Sequence, residues 1–201
     1  MTDAHSFFGS QPTFHVDGRE EPALAAQLIG LVLSETLGEP PRCEATFHNW
    51  VEGALAYPDD RTLAFARPLE IRLSGEVLFA GRIVALEGRF PAARPPELRA
   101  IAVGPVGAPD AHAGTLQLVH GAALRELHVT VERATPQASH AGPTTARGVA
   151  APTSGLRVGV HIEVEGVGAS FGGAFLVVET RQLFDQSHGL RTEFVATRGG
   201  R

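Results

Sequence analysis

Apolar and polar residues alternate along most of this chain, and the alternation predicts its elements. In "PLEIRL", Leu69, Ile71 and Leu73 point one way and Glu70 and Arg72 the other, the period of a half-buried strand. Ser74-Gly75-Glu76 makes a reversal, and "EVLFAGRIVALEGRF" supplies the returning strand. The same reading gives a strand in "PTFHVDGREE" ending at an Asp17-Gly18 turn, and further strands in "RCEATFHNW" and "ELRAIAV". "LAAQLIGLVLSETLG" fits two periods: Leu24, Leu28 and Leu31 have helical spacing, but Gly30 and "LIGLVLSET" favour a strand from about Leu28 to Glu35. Val51 to Ala66 reads as loop with "YPDD" as its turn. Later come strands in "TLQLVHGAALRELHVTVERA", "RVGVHIEVEG", "GAFLVVETRQLF" and "GLRTEFVATR". Between them, Thr135 to Gly155 has no apolar period and reads as a Pro/Ala/Gly/Thr linker. No helix is predicted. Short alternating strands joined by turns imply antiparallel sheets in a barrel or sandwich.

One phrase occurs twice. Arg67–Phe90 and Val158–Phe184 share the pattern I-x-[LV]-x-G, a short turn, then F-x-G-x-[IF]-x-x-[LV]-E-x-R. Aligned with one extra residue in the second turn, Phe79 matches Phe171, Gly81 matches Gly173, Glu87 matches Glu179 and Arg89 matches Arg181. In this reading each Phe caps a small core, each Gly relieves crowding at a bend, and each Glu and Arg fall on the exposed face. These eight residues are the structural and interface candidates. Hairpins share a common grammar, but the matched offsets point to duplication. A repeat of about 90 residues is too long for a solenoid and has the size of a small β-domain.

Composition adjusts this picture only slightly. The 201 residues are 43% apolar, enough to bury a core, with 23 Gly and 14 Pro to punctuate strands. All 17 basic residues are Arg, and the net charge of −5 offers no dense basic stripe for nucleic acid. The single cysteine, Cys43, allows no internal disulfide and lies in an alternating stretch as a buried strand residue. The start lacks a secretory pattern, and no run approaches the ~20 apolar residues of a membrane helix, so a cytoplasmic protein is expected. His112, His120 and His128 lack the close pairing of a zinc site. Asp59-Asp60 and Glu20-Glu21 are adjacent, not held across a cleft, and "GVGASFGG" lacks the Lys-Ser/Thr ending of a phosphate loop. No catalytic residue, cofactor or metal site is therefore expected, and the chain is not expected to be an enzyme. Trp50 and Tyr57 flank a loop and could anchor a sugar or protein partner if the chain were a monomeric β-sandwich binding module.

"FARPLEIRLSGEVLFAGRIVALEGRF" and "LRVGVHIEVEGVGASFGGAFLVVETRQLFDQSHGLRTEFVATR", with "PTFHVDGRE" and "CEATFHNW", resemble the phage late control D protein family, the VgrG-like baseplate hubs of contractile tails and injection systems. The likeness covers roughly Pro12 to Val103 and Leu156 to Arg198, and the chain resembles a shortened member, with a middle region of about fifty residues. The resemblance implies an all-β chain of two small related antiparallel β-barrels in tandem, with little helix. It implies a flexible N-terminus (1–11), a first barrel (12–108), partial strands and linker (109–155) and a C-terminal barrel portion (156–201) that repeats 67–90. It further implies a structural hub or tube adaptor, assembled into a tail-like particle as a trimer or hexamer ring between tail tube and spike or baseplate proteins. The two hairpins would then be the edges that build the ring.

Overall fold

The computed structural model describes residues 11–57, 62–106, 115–131 and 142–199, so Pro58, Asp59 and Asp60 of the "YPDD" turn, His112 and most of the segment before β10 (defined below) lie outside the described residues. The elements are β1 (Thr13–Val16), β2 (Arg19–Glu20), α1 (Pro22–Gln27), β3 (Leu28–Thr36), β4 (Arg42–His48), β5 (Pro68–Leu73), β6 (Glu76–Arg89), β7 (Glu97–Val103), β8 (Thr115–Val119), β9 (Leu124–Val131), β10 (Thr144–Ala150), β11 (His161–Glu165), β12 (Gly173–Asp185) and β13 (Gly189–Arg198). The fold is all-β and almost wholly antiparallel. β8 and β11 form a parallel pair.

The described residues divide into two compact units. The first takes residues up to Ser34, Pro40–Val106 and Gln182–Leu190; the second takes Glu35–Glu39, the residues from 107 to Arg181, and those from Arg191 onward. In the first, the pairing order is β2-β1-β5-β6-β7-β4-β3. Two tight reversals build it. Asp17 and Gly18 have φ of 50° and 76°, and Ser74 and Gly75 of 51° and 87°, the paired positive values that two-residue hairpins need to match strand twist. Alternation then sends Phe14, Leu31, Cys43, Phe47, Leu69, Ile71, Phe79 and Ile83 into one core. Phe14 and Phe47 meet edge-on at 5.3 Å, a favoured aromatic geometry. Burial pushes the Cys43 thiol up, so it stays protonated as a small apolar side chain.

The ambiguous "LAAQLIGLVLSETLG" resolves into both periods in succession. Residues 22–27 form a helix of six residues, where none is predicted. Pro22 presets the helical φ at its first turn, the Ala-Leu-Ala-Ala run follows, and Leu24 is buried. The chain turns extended at Leu28, and the strand then runs to Thr36, as the pattern predicts to within a residue.

In the second unit the order is β12-β13-β10-β9, with β11 on β12 and β8 on β11. Leu118, Leu124, Ile162, Val164, Phe175, Val177 and Phe194 make its core. β10 corrects the linker reading of Thr135 to Gly155, because Thr144–Ala150 is a strand flanked by β9 and β13. Its inward positions are Thr144, Ala146, Gly148 and Ala150, which are too small and polar to show an apolar period. Phe194, the partner of Gly148 on β13, fills the space instead. A Cβ at Gly148 would lie 2.8 Å from the Phe194 ring and 2.7 Å from the Glu126 carbonyl oxygen. Gly148→Ala is therefore expected to cost about 1–3 kcal/mol by overpacking, read as a lowered urea midpoint. An unchanged midpoint would show that the ring yields freely.

Candidate functional site

The repeated hairpins can be compared residue by residue. On β6, Phe79 faces Ile71 across the pair and is 3% exposed. Gly81 faces Leu69, and a Cβ there would lie 2.6 Å from the Val103 carbonyl oxygen, so the position admits only glycine without a shift. Glu87 and Arg89 are exposed opposite Arg99 and Glu97 of β7. Arg99 Nη1 donates to Glu87 Oε2 at 3.1 Å, and Arg89 Nη1 lies 3.8 Å from Glu97 Oε2. In the second hairpin, Glu179 and Arg181 are likewise exposed, and Arg181 Nη1 lies 3.6 Å from Glu193 Oε2 on β13. In both hairpins the arginine thus meets a glutamate on the following strand.

The first halves differ. Ile162 pairs with Phe175, not Phe171, so Phe175 occupies the place that Phe79 has opposite Ile71. Phe171 lies in the turn before β12 and is 48% exposed. The cause is turn length. Ser74-Gly75 closes the first hairpin, whereas Gly166 to Gly172 closes the second, with positive φ at Gly166 and Gly168. Gly173 opens β12 at φ 104° opposite Val164, a different duty from the crowded Gly81. The aligned Phe-x-Gly offsets therefore mark different positions in the two pairs.

The expectation that these hairpins are free edges is also corrected. β5 lies between β1 and β6, β6 between β5 and β7, and β11 between β8 and β12. Hairpin grammar tells which neighbours in sequence pair, but not which distant strand comes alongside. The pairing orders end instead at β2 in the first unit, and at β9 and β8 in the second.

Two charge clusters escaped the sequence reading. In the second unit, the Glu35 carboxylate accepts from Arg157 Nε at 2.8 and 2.9 Å, from Arg157 Nη2, from Thr180 Oγ1 at 3.2 Å and from the Val158 amide at 3.4 Å. Side-chain exposures of 16% and 26% make this a part-buried pair. In the first unit, Glu44 takes Arg42 at 2.8 Å and also Arg99. The Arg42 hydrogen bond, more than that of Arg99, holds the Glu44 carboxyl below the usual carboxylate range. No local signal announces contacts made across 122 residues of sequence.

Trp50 is 47% exposed, but Tyr57 turns inward and meets Phe47 at 6.3 Å, so the two aromatics do not form one outward patch. Among the described residues, the Tyr57 hydroxyl has no hydrogen-bond partner and no group of three His, Cys, Asp or Glu side chains is placed to hold a metal. Burial first, and the Glu21 carboxylate second, push the Tyr57 phenol up to about 12. Tyr57 is the single tyrosine of the chain, so the ultraviolet phenolate band titrates it alone. The native midpoint is expected at about 12 and the denatured one at about 10. The stability this preference contributes is fully present below about 10 and lost as pH rises through about 12. A native midpoint near the denatured one would place the ring in water.

No family model matches the chain, and no curated protein matches it in sequence. The fold does have solved counterparts. The tail protein from Neisseria meningitidis MC58 superposes with a TM-score of 0.65 at 8% identity, over 95% of this chain and 97% of that one. A tail protein of prophage MuSo2 from Shewanella oneidensis gives 0.66 at 6% identity, over 94% and 98%. The E. coli c3393 protein, a component of the type VI secretion system similar in structure to bacteriophage tail proteins, gives 0.62 at 10% identity, over 91% and 76%. At such identities the likeness is one of fold: this chain shares the architecture of phage-tail and type VI secretion proteins.

Proposed function

We propose that this protein is a structural component of a phage-tail-like contractile machine. In this reading it is a late control D or VgrG-like hub, or a tube adaptor, that works by ring assembly between tube and spike. The observation that carries the proposal is the fold shared with two tail proteins and a type VI secretion component over 91–95% of the chain. Two β units, the first holding Arg67–Phe90 and the second most of Val158–Phe184, support it further, since a trimer of such chains would present six such units. The partners are other copies of the chain, in a trimer or hexamer, with tube and spike or baseplate proteins above and below. Because β5, β6 and β11 are already flanked, the backbone groups that a neighbouring copy would engage belong to the strands ending each pairing order, β9 and β8 above all. Assembly would take place in the cytoplasm. Negative-stain images of the purified protein are expected to show rings of uniform diameter, and fields of small particles without rings would contradict the reading.

A further inference from the structure

The outward face of β9, β10, β13 and β12 holds a shallow depression of about 510 Å³ in the second unit. Across it, Arg147 faces His128 and Val195, and Val149 faces Glu126 and Glu193. Val149 and Val195 are half-buried and form the floor, while Glu126 and Glu179 stand exposed on β9 and β12. Glu193 is engaged by Arg181 at 3.6 Å, but neither Glu126 nor Glu179 has an ion-pair partner among the described residues. The arrangement is a track with an apolar centre and a free carboxylate at each end. β9 and β12 are three strand spacings apart in the order β9-β10-β13-β12; Glu126 shares a row with Val149, Glu193 and Arg181, and Glu179 lies two residues along β12 from Arg181, so the line between the two carboxylates runs obliquely over about 16 Å.

We propose that this track docks an extended segment of a partner protein carrying two arginines four residues apart with an aliphatic residue midway. In an extended chain, side chains at i, i+2 and i+4 share a face and span about 14 Å, and the length of the arginine side chains covers the remaining distance to the oblique pair of carboxylates. The aliphatic side chain covers Val149 and Val195, the arginine stems lie along the floor, and the guanidinium groups reach Glu126 and Glu179. Arg147 stands beside the centre of the track and repels a cation there, while the charge of Arg181, near the Glu179 end, is offset by Glu193 at 3.6 Å.

The test is a nitrogen-15 NMR titration of the full chain with acetyl-Arg-Ser-Val-Ser-Arg-amide and with its citrulline counterpart, which has the same shape without charge. The arginine peptide is expected to shift amides of residues 126–128, 147–149, 179–181 and 193–195 saturably, and the citrulline peptide to leave them unmoved. E126Q and E179Q should each weaken binding about threefold, and the double variant about tenfold. Equal shifts from both peptides, shifts centred on another face, no saturable shift, or unchanged binding in the double variant would each overturn the proposal. It stands apart from ring assembly: a monomer that binds the peptide, or a ring that does not, separates the two readings.

Discussion

Glu35→Ala lowers the stability of the second unit by about 3 kcal/mol, read as a fall in the urea midpoint followed by circular dichroism. The size follows from what the carboxylate does. It compensates a part-buried guanidinium and accepts from the Thr180 hydroxyl and the Val158 amide. Removing one partner of such a pair leaves the other charge desolvated, a loss of about 3–5 kcal/mol for a fully buried pair and somewhat less at the exposure seen here. Glu35–Glu39 is the part of the N-terminal half that belongs to this unit, and Leu37 donates its amide to the Val178 carbonyl at 2.9 Å, so the ion pair anchors a segment from far along the chain. In a double-mutant cycle, Arg157→Met on the Glu35→Ala background should cost much less than on the native one. Additive losses would mean that the two side chains act independently.

The second large effect separates two phenylalanines that sequence alignment confuses. Phe175→Ala is expected to cost about 3–5 kcal/mol, because its ring is 1% exposed in the core and carries the Arg198 guanidinium 4.8 Å from its centroid. Phe171→Ala should cost under about 0.5 kcal/mol, the usual range for surface positions. Both are read from denaturant midpoints. Equal losses would put Phe171 in the core and restore the alignment that equates it with Phe79.

The repeat shows where sequence reasoning holds and where it stops. Periodicity locates strands because one face of each is buried, and β4, β5, β7, β12 and β13 follow it within a residue or two. It loses β10, whose inward positions are small and whose missing volume comes from Phe194 on the next strand. It matches Glu-x-Arg in both hairpins, where each arginine meets the next strand, yet misplaces Phe-x-Gly, because turn length is free to vary while strand composition is not. The neighbours of each strand, and the Glu35–Arg157 pair, depend on contacts between residues far apart in the chain, which no local pattern encodes.

Sedimentation velocity at micromolar concentration tests the assembly role most directly. A discrete trimer or hexamer that persists on dilution across that range is expected; a single boundary at the monomer value throughout would contradict ring assembly.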